Sequence, residues 1–288
     1  MKKRSLLSSL VIGLLAALLA LYGLWSTIKK AVKKRSLLSF LVIGLLAALL
    51  AFCGFWSTIK NVVKKVWRAV KAVVRIVVRV VILVINTFTF GLFDLLLGFL
   101  TWPPKKLRLH IFILSDKNGP VVNPSDLTSS IDFAKQTFKD RFNVNLVPYS
   151  KNMVEIVKEP APAPALTPDC VGGGALKNEF GEAGEYYASQ LAGWNAIPIS
   201  LTFPITVFVV HKIHGREGCS LGPLTDYLTL DIGGVASVNT MAHEMGHACS
   251  LWHSRSKSNL MWPDDDRGNG AKWFQKNLLR SSRHVQYW

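Results

Sequence analysis

The stretch Met241–Asp266, MAHEMGHACSLWHSRSKSNLMWPDDD, gathers residue types that hold metal ions and move protons. His243 and His247 are four positions apart, so on a helix both imidazoles share one face, about one turn apart, and can bind a single ion. Glu244 follows the first of them, placed beside such an ion to hold a water. His253 lies six residues beyond His247. A hydrolytic zinc takes three protein ligands and keeps a fourth position for water, and His243, His247 and His253 supply that set. The chemistry would be hydrolysis. Zinc lowers the pKa of its water towards about 7 and polarises a carbonyl, while Glu244 takes a proton as general base and passes it to the leaving amine. The bland alternative is a helix with surface histidines.

The motif HExxHxxxxxH followed by Met261 in NLMWP resembles the metzincin zinc proteases, nearest to the matrixin (matrix metalloprotease-like) subgroup with its HExGHxxGxxHS and LMYP. Gly246, Ser254, Leu260, Met261 and Pro263 match that longer pattern, over His243 to Pro263. The resemblance implies a zinc endopeptidase acting on a protein or peptide, with one catalytic Zn2+ on His243, His247 and His253. It makes Glu244 the base, Met261 the Met-turn residue beneath the metal, and Trp262 and Pro263 part of the substrate pocket. The implied fold is an α/β, zincin-like α+β domain: a twisted mixed sheet with an active-site helix and a C-terminal helix. The substrate would add as a strand near Cys219–Thr225. There are two departures. Ser250 stands where the family has the Gly that turns the chain back to the third ligand, and Trp262 replaces Tyr. If His253 were displaced, Asp264 or Asp265 could take its place, since carboxylates also bind zinc.

The elements that must position these groups are legible upstream. Leu107–Leu114 reads as a strand, Ser125–Arg141 as a helix, Asn143–Pro148 as a strand and Glu159–Pro168 as an extended Pro/Ala loop. Glu179–Leu191 reads as a helix, and Ile205–Ile213 and Tyr227–Asp231 as strands. Helices follow at about Ser237–Leu251 and Ala271–Arg280. Residues 105–288 thus form the catalytic domain, large enough to bury its own core.

Other chemistry-bearing residues rank lower. His211 and His214 flank a strand end and suit solvent contact better than a second metal, and His110 is structural. Cys249 faces the core. Cys170 and Cys219 suit a disulfide in an oxidising compartment. Free thiols, or Cys170 in PDCVGGG as an inhibitory thiolate on the zinc like the similar motif of matrixin propeptides, remain as alternatives.

The 288 residues carry a net charge of +16, unevenly spread. Residues 1–104 hold fifteen Lys and Arg against one acid, Asp94, and residues 105–288 are nearly balanced. Basicity in an apolar N-terminal third argues against nucleic-acid binding, whose charge belongs on a soluble face, and against disorder. Residues 2–29 recur at 33–60 with four differences. Each copy carries an uncharged run of 20 residues, Leu6–Trp25 and Leu37–Trp56, the length of a bilayer-spanning helix. A signal peptide suits the first copy less well. Residues 61–79 space Lys64, Lys65, Arg68, Lys71, Arg75 and Arg79 near the helical period, which predicts an amphipathic helix whose cations meet anionic lipid. Residues 80–102 form a third apolar segment, interrupted by Asn86 and Asp94.

The expected organisation is therefore an all-α transmembrane region over 1–104, with spans at 5–28 and 36–59, the basic helix 61–79 and the segment 80–102, ahead of the zinc protease domain. The expected partners are substrate and lipid bilayer, with no nucleic acid. The distribution of cations places the domain outside the cytoplasm. The rival class is a membrane-surface protein whose protease-like domain is degenerate and non-catalytic; zinc content separates the two.

Overall fold

The computed structural model of the protein describes residues 37–86, 88, 92, 103–191 and 204–287. The chain divides into two compact units, Met1–Trp67 and Arg68–Trp288. The first expected span (5–28), Asp94 and nearly all of 87–102 lie outside the described residues. One helix, α1 (Leu37–Asn86), covers the second repeat copy and the basic segment. Among the described residues no helix is long and apolar enough to cross a membrane, so the expected spans gain no support from the structure.

The C-terminal unit is a mixed α/β sandwich. Its central strand β1 (Lys105–Asp116) turns into β2 (Gly119–Pro120). On β1, residues Lys105–Leu109 pair in parallel with β3 (Val144–Pro148), and Ile111–Ser115 with β4 (Val154–Pro160). β5 (Ile205–Val209) also pairs with β1 in parallel, β7 (Tyr227–Leu230) follows it, and β6 (Gly218–Ser220) closes the sheet antiparallel to β7. β8 (Val285–Gln286) joins β1 near its start. Because β1 and β5 have neighbours on both sides, they read as nearly continuous apolar runs.

Alternating residues feed two cores. Leu109, Ile111, Val207 and Leu228 face one core with α2 (Thr128–Thr137) and α7 (Thr240–Ala248). Phe208, Val210 and Tyr227 face the other, packed on Tyr187 of α5 (Glu182–Gln190), beside α3 (Ala163–Leu166) and α4 (Gly174–Glu179). A short helix α6 (Ile232–Ala236) precedes α7, and α8 (Trp273–Arg280) closes the domain.

Several expectations shift. The helix expected over Ser125–Arg141 is a 3-10 turn, α2 and a π turn, ended by Asn143 at φ 55°. The expected extended Pro/Ala loop contains one helical turn, α3, because Pro164 falls in a first turn, where no intrahelical N–H is required. β4 has no sequence signal of its own, since MVEIVKEP lacks clean alternation and its pairing with β1 is non-local.

The basic helix departs most. Arg68, Arg75 and Arg79 turn towards the domain, while Lys64 and Lys65 stay exposed. Arg68 Nε donates to Glu185 at 2.7 Å and Arg75 Nε to Glu179 at 3.1 Å. Arg79 bridges Asp226 at 2.8 Å and Glu179 at 3.2 Å. Tyr227 donates its hydroxyl to Glu179 at 2.7 Å, and Arg283 reaches Asp226 at 2.6 Å. All these groups except Arg68 and Glu185 are buried. Three guanidinia thus meet two carboxylates and a phenol where water is excluded, an arrangement viable only when every partner is present.

Candidate metal centre

The nine residues of α7 set the first two imidazoles one turn apart, and all but His247 are buried. Each ring is oriented through its other nitrogen. His243 Nδ1 donates to the Leu260 carbonyl and His247 Nδ1 to the Leu251 carbonyl, both at 2.8 Å. That fixes the tautomer and leaves the Nε2 lone pairs free to converge. His247 Nε2 lies 3.1 Å from His243 Nε2 and 3.1 Å from His253 Nε2, with the three ligand atoms within 4.8 Å of one another. Burial pushes the His243 imidazole down to about 3 and that of His247 down to about 4, so both are neutral near pH 7. Burial, then Arg216 and Arg267, also lower His253. Three neutral nitrogens that crowd their lone pairs together fit a borderline divalent cation such as zinc.

The turn that returns the chain to His253 is made with Ser. Ser250 adopts φ 70°. Ser250 N–H bonds the His247 carbonyl and Leu251 N–H the Gly246 carbonyl, both at 2.9 Å. This is a Schellman closure with Ser at the left-handed position. Met261 packs directly against α7: a Cβ on Gly246 would stand 2.5 Å from the Met261 sulfur. The turn carrying Met261 is pinned by Asn259, whose side chain accepts from Met261 N–H at 2.9 Å and donates to Gln275 at 2.8 Å.

Glu244 borders a cavity of about 530 Å³ that also contains the three histidines. Burial pushes its carboxyl up to about 7, against the pull of Arg267 and Arg216. The opposite wall is β6, the edge strand. Gly218 there admits the Glu244 side chain, since a Cβ would lie 2.7 Å from Glu244 Cγ. Pro263, Asp264 and Asp265 line the remaining side. Trp262, expected in the pocket, is not among the lining residues; its indole N–H donates to Asp266 at 2.9 Å. Asp265 pairs with Arg267 at 3.3 Å, and neither Asp264 nor Asp265 joins the histidine group.

Cys170 and Cys219 form a disulfide at the cavity edge, so Cys170 is no thiolate cap on a metal. Cys249 is free and buried, and burial pushes its thiol up to about 12. His211 and His214 are exposed and form no metal-binding group among the described residues. His110 is buried, 3.3 Å from Glu155.

Arg267 was not legible in the sequence. It is buried, donating to the carbonyls of Trp262 and Asp264 and reaching Asn239 and Thr240 at the start of α7. It therefore ties the loop after Met261 to the metal helix, and only tertiary contacts reveal it.

No protein-family model matches the chain, and no curated protein sequence does. Among solved structures it is similar to metalloproteinase-II from Bacteroides fragilis, with 14% identity, a TM-score of 0.39, and coverage of 58% of this chain and 49% of that one. The chain therefore spans about half the length of that structure. The functional reading stands on the geometry of the site.

Proposed function

We propose that the protein is a zinc-dependent endopeptidase of the metzincin type, nearest by motif to the matrixins, hydrolysing peptide bonds in a protein or peptide substrate. The observation that carries this reading is the convergence of three neutral imidazole nitrogens beside a buried carboxylate in an open cavity. His243, His247 and His253 would hold the ion, which when bound supplies Lewis-acid polarisation. Glu244, buried beside the histidines at the cavity, would receive a proton from water and deliver it to the departing amine. The edge of β6 offers backbone groups to an extended peptide. Pro263, held by the Arg267 bond network, walls the cavity against the substrate side chain.

We further propose attachment to a membrane through the uncharged N-terminal runs, with the domain outside the cytoplasm. The length of those runs supports the attachment, and the Cys170–Cys219 disulfide, suited to an oxidising compartment, supports the placement.

The test is made on the full chain in detergent. One equivalent of zinc should co-purify, and His247→Ala should lose it. Glu244→Gln should keep zinc and fold while losing cleavage of a peptide library by roughly 10²-fold or more. Undiminished zinc in His247→Ala, or undiminished cleavage in Glu244→Gln, overturns the assignment.

A further inference from the structure

The polarity of α1 is inverted relative to a helix on a water-soluble protein. From Arg68 to Arg79 its three arginines turn into the domain, Arg75 and Arg79 buried there, Lys71 stays exposed beside them, and its valine face points away. Val70, Val73, Val74, Val77, Val78 and Val81 are each between 40% and 53% exposed. A helix packed on a soluble domain normally buries its apolar stripe and shows its charges to water. Here water would meet a row of branched aliphatic side chains, and such continuous exposed patches mark a missing apolar partner.

The surroundings of the row identify that partner as lipid. Val84 extends the row and is also exposed. Beyond Lys60, Lys64 and Lys65 the sequence is apolar on either side as well, with the uncharged run Leu37–Trp56 before and the apolar stretch from Val80 after. The arginines beneath the row are held by the domain, Arg68 by Glu185, Arg75 by Glu179, and Arg79 by both Glu179 and Asp226, while Lys64, Lys65 and Lys71 stay exposed. Trp67, 60% exposed and just ahead of the row, is a side chain suited to the bilayer interface.

We propose that the valine face of α1 between Val70 and Val81 seats in the acyl boundary of a lipid bilayer, that segment lying in the membrane plane with the domain clamped to its arginine face. The domain's own carboxylates thus take the place that anionic headgroups would hold for an ordinary basic amphipathic helix. Attachment at this face comes from apolar contact, with Arg75 and Arg79 withdrawn into the domain. The inference is independent of the peptidase reading.

The full-length chain with Cys53→Ser is the background for the test, because Cys170 and Cys219 are paired and Cys249 is buried. Single cysteines at Val73 and Val77, and at the exposed Asp132 of α2 as control, carry an environment-sensitive fluorophore. The protein is reconstituted into vesicles of phosphatidylcholine alone and of phosphatidylcholine with phosphatidylserine. At Val73 and Val77, nitroxides on the acyl chains should quench several-fold more than aqueous iodide, in both vesicle types and at high salt; at Asp132 the order should reverse. Iodide quenching at the valine sites places the face in water and overturns the proposal. Shielding from both quenchers, with concentration-dependent crosslinking between copies, assigns it to a second chain and overturns the proposal too. Lipid quenching only in anionic vesicles would show that the cations engage the membrane, with the same consequence.

Discussion

Ser250 holds a left-handed conformation that costs an L-residue roughly 1–2 kcal/mol, a strain glycine does not carry. Ser250→Gly is therefore expected to be neutral to stabilising by up to about 1 kcal/mol, seen as a higher urea midpoint at unchanged slope. Gly246 is constrained in the opposite sense. Its backbone is ordinary helix, but the Met261 sulfur occupies the space of a side chain. Gly246→Ala should displace Met261, cost about 1–3 kcal/mol, and weaken zinc retention measured by chelator competition. Wild-type stability and zinc retention in that variant would show that the Met261 turn yields freely. Both residues lie in the motif; the sequence names them, but only contact geometry separates a glycine needed for space from a position needing positive φ.

At the scale of elements, α1 and the domain are joined by a buried charge cluster. Removing one partner strands the others without water. Arg79→Ala leaves Glu179 and Asp226 short of a cation and is expected to destabilise by about 3–5 kcal/mol in chemical denaturation. The same cluster sets an acid limit. Burial alone would raise the Asp226 carboxyl, but Arg283 and Arg79 outweigh it and hold the group below its ordinary value. A carboxylate depressed in the folded state contributes stability that is fully present above its unfolded pKa of about 3.9 and is lost as pH falls through the folded value. The ion pairs should persist at pH 5 and fail only below about pH 4, followed by tryptophan fluorescence and near-ultraviolet dichroism. Asp226→Asn should be less stable at neutral pH and lose that part of the acid dependence. An unchanged acid limb in Asp226→Asn would show that another group sets it.

For the molecule as a whole, two connections hold the domain together. The Cys170–Cys219 disulfide closes a loop with a sequence separation of 49 and fastens the edge strand β6 to the segment ahead of α4. Chain entropy puts its contribution at about 4 kcal/mol. Cys170→Ser with Cys219→Ser should lower the denaturation midpoint accordingly, and a loss well under 1 kcal/mol would mean that β6 is held by its pairing with β7 alone. The second connection is α1 itself. A fragment 105–288 lacks the guanidinia that meet Glu179 and Asp226, so it should be markedly less stable than a fragment 68–288. Equal midpoints for the two fragments would show that the charge cluster is dispensable to the domain.

The sequence by itself named the three histidines that the structure brings together, the carboxylate beside them, the helix that pairs His243 with His247, and strands at 107–114, 205–213 and 227–231, the last two trimmed to 205–209 and 227–230 by the fold. These follow from periodicity and spacing, which act over a few residues and are written in consecutive letters. It also determined that residues 61–79 are amphipathic, but not which way the helix faces. That orientation depends on Glu179 and Asp226, 104 and 147 positions away from Arg75 and Arg79. β4 was likewise settled by pairing with the far half of β1, Trp262 by its bond to Asp266, and Arg267 by carbonyls and side chains drawn from two elements. Only the tertiary structure decided these, because a buried charge or a non-local strand takes its energy from partners that folding brings together, and no local pattern records them.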